Sequence, residues 1–157
     1  MAEAPPVDRH DRALFRERLL DGEATAEMYA RAAYTPIRSW EAEPLAVEIA
    51  SSAQDAVAIL AAADGSLRKR LRFTPSGRIT VEYDWNALGG NRGVFSVELS
   101  LFRPLPLTAT PDAELWRYPV ETVSKSERGL DRTVQGESIT LRWPASLGHA
   151  TLTLGGG

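Results

Sequence analysis

Apolar and polar residues alternate along most of the chain once Pro44 is passed. Alternation with a period of two is typical of strands that bury one face and expose the other. The segment 56–63 is rich in alanine, but the hairpin-type turn Asp64-Gly65 that follows it favours a strand there as well. The pattern predicts strands at 45–49, 56–63, 67–73, 79–85, 94–102, 115–123, 137–143 and 149–154.

The residues before Pro44 follow a helical period instead. The first predicted helix runs from Asp8 to Leu20, because Phe15 and Leu19 fall on one helical face. The second begins near Thr25, a natural N-cap, and ends before Pro36. We therefore expect an all-β protein: an antiparallel β-sandwich with two short N-terminal helices. The predicted organisation is a linker over 1–8, a helical lead-in over 9–36 and a sandwich over 44–154, all in one domain.

The segment 67–85 contains enough pattern to predict a strand register. A five-residue loop over 74–78 places Leu71 opposite Val81 and, on the other face, Arg70 opposite Glu82. A shift of this register by one residue would expose the apolar side chains of the strand to water. We therefore expect this single register, which satisfies packing and charge together.

Composition narrows the possible chemistry of the 157 residues. With 18 basic and 21 acidic residues, the formal charge of −3 offers no basic field for nucleic acid. The absence of cysteine and the two isolated histidines, His10 and His149, argue against a metal site, a cofactor and thiol or histidine catalysis. No stretch approaches the ~20 apolar residues of a membrane span, and the N-terminus has no signal-peptide pattern. The sequence predicts a cytoplasmic protein without a membrane partner.

Two acidic residues on neighbouring predicted strands form a candidate site. Pairing 79–85 with 94–102 through their apolar faces sets Glu82 opposite Glu98. Repulsion between two adjacent carboxylates raises the pKa of one of them, a shift that active sites use. The positive charge of Arg70 on the next strand would, however, offset this repulsion. Both a structural charge row and a ligand site remain open.

Aromatic residues supply a second candidate site. Trp85 and Trp143 are in phase with aliphatic neighbours and are expected in the core, whereas Trp116 and Tyr118 share a face and are freer to stack on a sugar ring. The alternative is that this stretch packs at the edge of the sandwich. The candidate sugar-binding residues, with carboxylates as hydroxyl acceptors, are Trp116, Tyr118, Glu121, Glu127 and Glu98.

The stretch 119–136, PVETVSKSERGLDRTVQG, carries a family resemblance together with the Trp143-Pro144 pair. It resembles the signature P-x-E-T-V-S-x-S-E-x-G-x-[ED]-R-x-x-Q-G…WP of the C-terminal β-sandwich domain of glycoside hydrolase family 57 α-amylases and 4-α-glucanotransferases. The segments 11–20 and 95–100 are similar to the entry segment and a strand of that domain. The resemblance spans roughly residues 11–144, although Glu17-Arg18-Leu19 and Ser100 depart from the family pattern.

This resemblance implies an antiparallel β-sandwich of a reduced mutarotase-like supersandwich type. It also implies an accessory, non-catalytic domain of an α-glucan-processing enzyme. The family's catalytic glutamate and aspartate belong to an N-terminal (β/α) barrel, which would be the partner in the same or a neighbouring chain, with α-glucan as a candidate ligand. Two alternatives stay open: a mutarotase-like sugar epimerase with Glu98 as base, and a purely structural or oligomerising sandwich.

Overall fold

A computed structural model describes residues 13–86, 92–126 and 129–156. In these ranges the chain forms eleven strands, one α-helix and a 3-10 turn at Ala145–Leu147. The elements are β1 (Arg16–Asp21), α1 (Ala26–Ala30), β2 (Arg38–Ser39), β3 (Leu45–Ser51), β4 (Ala56–Ala62), β5 (Leu67–Phe73), β6 (Ile79–Trp85), β7 (Gly93–Leu101), β8 (Leu107–Thr110), β9 (Glu114–Ser126), β10 (Gly129–Pro144) and β11 (His149–Leu154).

The strands form two antiparallel sheets that pack face to face. Sheet A has the order β2-β1-β7-β10-β9, and sheet B has the order β3-β4-β5-β6-β11-β8. Their facing sides share one apolar cluster, in which the Trp85 ring of sheet B stacks on Phe95 of sheet A at 4.0 Å between centroids. The all-β sandwich expected from the sequence is confirmed, and Trp85 and Trp143 lie in its core as expected.

The hairpin of β5 and β6 has the register predicted from the sequence. Leu71 pairs with Val81 and Arg70 with Glu82, while Leu67 pairs with Trp85. The Arg70 guanidinium donates to the Glu82 carboxylate at 3.2 Å, and Val81 is completely buried. The segment 56–63 is also a strand, as expected.

The first predicted helix is wrong where the structure describes it. Residues Arg16–Asp21 form strand β1, which pairs with β7. Both faces of β1 are covered, so that it shows no period of two, and the spacing of Phe15 and Leu19 imitates a helix. The rest of that predicted helix and the predicted linker 1–8 lie outside the described residues.

The second predicted helix is confirmed only in its first part, which is α1; residues 31–35 are not helical, and Ala32 has a left-handed φ of 52°. Thr25 is its N-cap, and its hydroxyl accepts from the backbone N–H of Met28 at 3.2 Å. Its one buried residue, Tyr29, points onto the outer face of sheet A, which is the face turned away from sheet B.

The predicted pairing of Glu82 with Glu98 is wrong. Strand β6, which carries Glu82, lies in sheet B between β5 and β11, whereas β7, which carries Glu98, lies in sheet A between β1 and β10. The chain therefore crosses between the sheets after β6. Both strands have the same alternation, and alternation identifies the buried face without identifying the partner strand.

The hairpin of β9 and β10 continues beyond the end of β7. Strand β10 pairs with β7 only from Glu137 onwards, so its residues 129–136 pair with β9 alone. We call residues 120–126 with 129–136 the β9–β10 arm. It begins at Gly136, where any Cβ would collide with the backbone carbonyl of Leu101.

Candidate functional site

The outer face of sheet A carries a buried polar layer centred on Glu98. On β7, Val97 and Leu99 point towards sheet B, so the residue between them points outwards. In a sheet that is covered on one face only, this position would be exposed to water. Here α1 lies against the outer face, and Glu98 is buried.

The Glu98 carboxylate accepts at least four hydrogen bonds from four other elements. Its Oε1 accepts from the hydroxyls of Ser138 on β10 at 2.7 Å and Tyr118 on β9 at 2.8 Å. Its Oε2 accepts from the Arg18 guanidinium on β1 at 2.8 Å and the Tyr29 hydroxyl on α1 at 2.9 Å. One carboxylate thus ties together three strands of sheet A, its own strand and the helix above them.

These donors determine the protonation state of Glu98. Burial acts to raise its pKa, but the hydrogen bonds from Ser138, Arg18 and Tyr118 outweigh burial and lower the pKa to about 2. A general base works best when its pKa lies near the working pH. Glu98 is therefore a permanently ionised acceptor at neutral pH, and its oxygens are already occupied.

Arg18 is the cation of this layer, and it is almost fully buried. Besides Glu98 it contacts the Tyr29 hydroxyl and the carboxylate of Glu41. Its guanidinium also lies 5.7 Å from the centroid of the Tyr29 ring and 5.9 Å from that of Tyr34. The guanidinium is thus surrounded by anions and aromatic faces, which is the environment that a buried arginine requires.

Trp116 lies beside this layer and packs against it. Its exposed fraction is 8%, the Arg142 guanidinium lies 3.6 Å from its ring centroid, and the Tyr29 ring lies 5.8 Å away. Its indole N–H donates to Glu114 at 3.0 Å. Both an aromatic and a cationic neighbour thus already cover the ring.

The structure brings together only part of the predicted sugar site. Glu98, Trp116 and Tyr118 share the outer face of sheet A, and Tyr118 is half-buried with its hydroxyl on Glu98. Glu121 lies three residues further along an extended strand, so it points to the opposite face, where Arg132 lies 3.5 Å from it. Glu127 lies outside the described residues. Sugar binding by these residues stays a prediction.

A second buried ion pair lies between the two sheets. Lys69 of β5 donates to both carboxylate oxygens of Glu17 of β1, at 2.9 and 3.0 Å. Burial raises the pKa of Glu17, although Lys69 acts to lower it. The Tyr83 ring is completely buried, and its pKa is raised by burial and by the Glu17 charge. This pair fixes the position of β1 over β5.

Sequence reasoning identified Glu98 and Tyr118 but missed the other partners of Glu98. Arg18 and Glu17 lie in the segment interpreted as a helix, and the alternation of β1 that would have revealed them is absent. Ser138 carries no signal of its own in the sequence. Tyr29 was assigned to a helix correctly, but a helical pattern does not show which sheet the helix covers.

Neither a cluster of metal ligands nor a membrane-spanning helix occurs among the described residues. In 13–86, 92–126 and 129–156, no group of three histidine, aspartate or glutamate side chains is arranged to hold a metal ion. The helical parts of the same ranges are too short and too polar to cross a membrane.

Comparisons with known proteins agree on one family. Residues 102–153 match the family model described as "Alpha-amylase/4-alpha-glucanotransferase, C-terminal". A curated 4-alpha-glucanotransferase from Thermococcus kodakarensis is 25% identical, over 87% of this chain and 24% of its own length. The sequence-based resemblance to the C-terminal domain of α-amylases and 4-α-glucanotransferases is thus confirmed.

The fold also has a counterpart among solved structures. The crystal structure of the 4-alpha-glucanotransferase from Thermococcus litoralis matches 97% of this chain with a TM-score of 0.68 and 18% identity. The match covers 28% of that protein. This chain therefore spans about a quarter of the length of the relatives that it matches.

Proposed function

We propose that this chain is a non-catalytic accessory domain of an α-glucan-processing enzyme of the glycoside hydrolase family 57 type. It acts by packing against a catalytic (β/α) barrel in the same or a neighbouring chain. The observation that carries this proposal is the alignment of 87% of this chain with only 24% of a 4-alpha-glucanotransferase. The remainder of such an enzyme has ample length for a catalytic domain.

The chemistry of the buried layer supports a role without catalysis. Retaining cleavage of a glycosidic bond requires two carboxyl groups about 5–5.5 Å apart, one of them with a raised pKa. The pKa of Glu98 is lowered, and both of its carboxylate oxygens already accept hydrogen bonds. Glu82 lies in the other sheet. The carboxylates first considered as a catalytic pair therefore do not form one.

The test is an activity assay on the purified chain. Incubated with maltoheptaose, the chain is expected to release no reducing ends and to form no shorter or longer maltooligosaccharides. Activity that is lost in Glu98→Gln, with the circular dichroism spectrum unchanged, would contradict the proposal. Glu82→Gln is the matched control, because it changes an exposed carboxylate of the other sheet.

The epimerase alternative meets the same obstacle. A base with a pKa of about 2 is a weak base at neutral pH. An epimerase also requires a general acid near its base, but His149 lies on β11 of the other sheet, where it contacts Asp84 at 2.8 Å. Polarimetry on freshly dissolved α-glucose, with and without the chain, tests this alternative, and we expect equal rates.

Glucan binding at the Trp116–Tyr118 face and packing of that face are two alternatives that one test separates. Arg142 and Tyr29 cover Trp116, so Tyr118, which is half-buried, is the more accessible of the two rings. This burial favours the packing alternative, so we expect no calorimetric heat from millimolar maltoheptaose. Saturable heat that disappears in Trp116→Ala, with the variant still folded, would establish direct contact with sugar.

A further inference from the structure

The three most exposed large apolar side chains, Phe102, Ile49 and Val134, lie towards one end of the sandwich. In sheet A this end is marked by Ala13, whose carbonyl accepts from the N–H of Ser100, and by Leu101, which pairs with Glu137. We call it the entry end, because the described chain enters the sandwich there. Phe102, the residue after β7, is 87% exposed, and Val134 on the adjoining arm is 62% exposed.

Sheet B contributes to the same end. Trp85 stacks on Phe95 at the far end of the sandwich, and Leu67 pairs with Trp85. The other end of β5, at Phe73, therefore lies at the entry end. Strand β4 links it to Ile49 of β3, which is 75% exposed.

The exposure of β3 is unusual for its position in the fold. Val47 and Ile49 are in phase with Leu45, which packs against the core, so they lie on the core-facing side of sheet B. Both are nevertheless exposed. The interior side of sheet B therefore extends uncovered past the shared core, where burial would contribute roughly 25 cal/mol per Å².

The β9–β10 arm projects from the same end. Its eight residues 129–136 span about 25 Å at the usual rise of a strand, with β9 as the sole pairing partner in the described chain. A two-stranded ribbon in water is marginally stable at best. The arm therefore has the properties of an element that is stabilised by a partner.

We propose that the entry end and the β9–β10 arm dock onto the catalytic part of the enzyme. This inference rests on the proposed function. The matched family model describes a C-terminal domain, and Ala13, the first described residue of this domain, lies at the entry end near the exposed Phe102. The model match begins at Phe102 and includes the whole arm. About three quarters of the length of the relatives is available to form the complementary apolar surface.

The test compares amide hydrogen exchange in the isolated 157-residue chain with exchange in its assembly with the catalytic part. The probe is the 4-α-glucanotransferase-type catalytic polypeptide encoded in the same genome, in the one-chain or two-chain form in which it is encoded. We expect at least tenfold slower exchange at 49–51, 101–106, 120–126 and 129–136. Residues 37–40 and 145–148, at the opposite end, are expected to exchange equally in both states.

Two matched variants sharpen the test. Phe102→Glu is expected to remove at least tenfold of the protection at the entry end, because it places a charge in an apolar contact. Leu147→Glu changes a residue that is 43% exposed at the opposite end, and it is expected to change protection less than twofold. Both substitutions are at exposed positions, so both chains are expected to fold.

The possible failures are distinguishable. If no such catalytic polypeptide exists, or if it protects no part of the domain, the proposed function itself fails. If protection appears at 37–40 and 145–148 instead, the function stands and the entry end is the wrong surface. If the isolated chain already shows the protection and sediments as a dimer that Phe102→Glu dissociates, the occupant is a second copy and the docking proposal is overturned.

Discussion

Glu98 and Glu17 are two glutamates with nearly the same burial, 6% and 5% exposed, and their pKa values move in opposite directions. The pKa of Glu98 falls to about 2, whereas that of Glu17 rises. Glu98 accepts from Arg18 and from hydroxyls of three further elements, whereas Glu17 has one cationic donor, Lys69. The charge state depends on the balance between burial and donors. At Glu98 the donors outweigh burial, whereas at Glu17, which lies between the two sheets, burial outweighs the donors.

The largest expected effect on the free energy of unfolding comes from removing the carboxylate of Glu98, which accepts from more residues than that of Glu17. Glu98→Ala leaves the buried Arg18 without one of its anions and leaves three hydroxyls without their acceptor, so we expect a loss of about 5 kcal/mol in the free energy of unfolding. Urea unfolding measures it. Glu82→Ala, at an exposed carboxylate, is the control and is expected to cost about 0.5 kcal/mol. Equal losses in the two variants would show that the buried layer contributes nothing special.

Removing Lys69, the cationic donor to Glu17, is expected to lower the free energy of unfolding slightly less. Lys69→Met leaves Glu17 buried without its cation, which typically costs about 3–5 kcal/mol. The double variant Glu17→Leu with Lys69→Met is expected to recover at least half of the loss, because it removes both desolvated charges. A double variant as unstable as the single one would show that Lys69 acts through packing rather than through Glu17.

The dependence of stability on pH should separate the two glutamates. Because the pKa of Glu98 is lowered from 4.5 to about 2, its contribution is complete above pH 4.5 and is lost as the pH falls towards 2. That shift corresponds to about 3 kcal/mol. The pKa of Glu17 is raised, so the pH dependence of its contribution to stability has the opposite sign. That contribution is lost as the pH rises through the folded pKa.

This prediction is checked by urea unfolding of the wild type, Glu98→Gln and Glu17→Gln at several values between pH 2 and 8. Glu98→Gln is expected to flatten the acid limb of the curve. Glu17→Gln is expected to leave that limb intact and to change the slope at higher pH. An acid limb that is unchanged in Glu98→Gln would show that Glu98 is not held below its ordinary pKa.

The smallest expected effect comes from removing one donor. Tyr118→Phe keeps the ring and deletes the hydroxyl that donates to Glu98 at 2.8 Å, which is expected to cost about 1.5 kcal/mol. Ser138→Ala, on the other side of the same oxygen, is expected to have a similar effect. A Tyr118→Phe variant of wild-type stability would indicate that water replaces the hydroxyl.

Local patterns in the sequence were sufficient for the parts of the fold whose contacts are close in the chain. The β5–β6 hairpin joins neighbouring strands, so one apolar pattern and one charge pattern determined its register. The N-cap at Thr25 is likewise a local signal, and α1 begins beside it. These elements needed no knowledge of the rest of the molecule.

Contacts between distant segments could not be predicted in the same way. Strand β1 pairs with β7, about 80 residues further along, and both of its faces are covered, so its pattern imitated a helix. The pairing of Glu82 with Glu98 failed for a related reason, because strands of equal alternation are interchangeable until the sheets are known. Glu98 was recognisable as a polar residue in an apolar strand, but its donors come from four separate segments.

The most direct test of this account is the pKa of Glu98, measured by following its carboxyl carbon by NMR as the pH is lowered. We expect a titration midpoint of about 2, because hydroxyl and guanidinium donors stabilise the ionised form. Such a value means that the carboxylate at the centre of the outer layer stabilises the domain and does not transfer protons. A midpoint above 4.5, in the range of carboxyl groups that act as acids or bases, would contradict it.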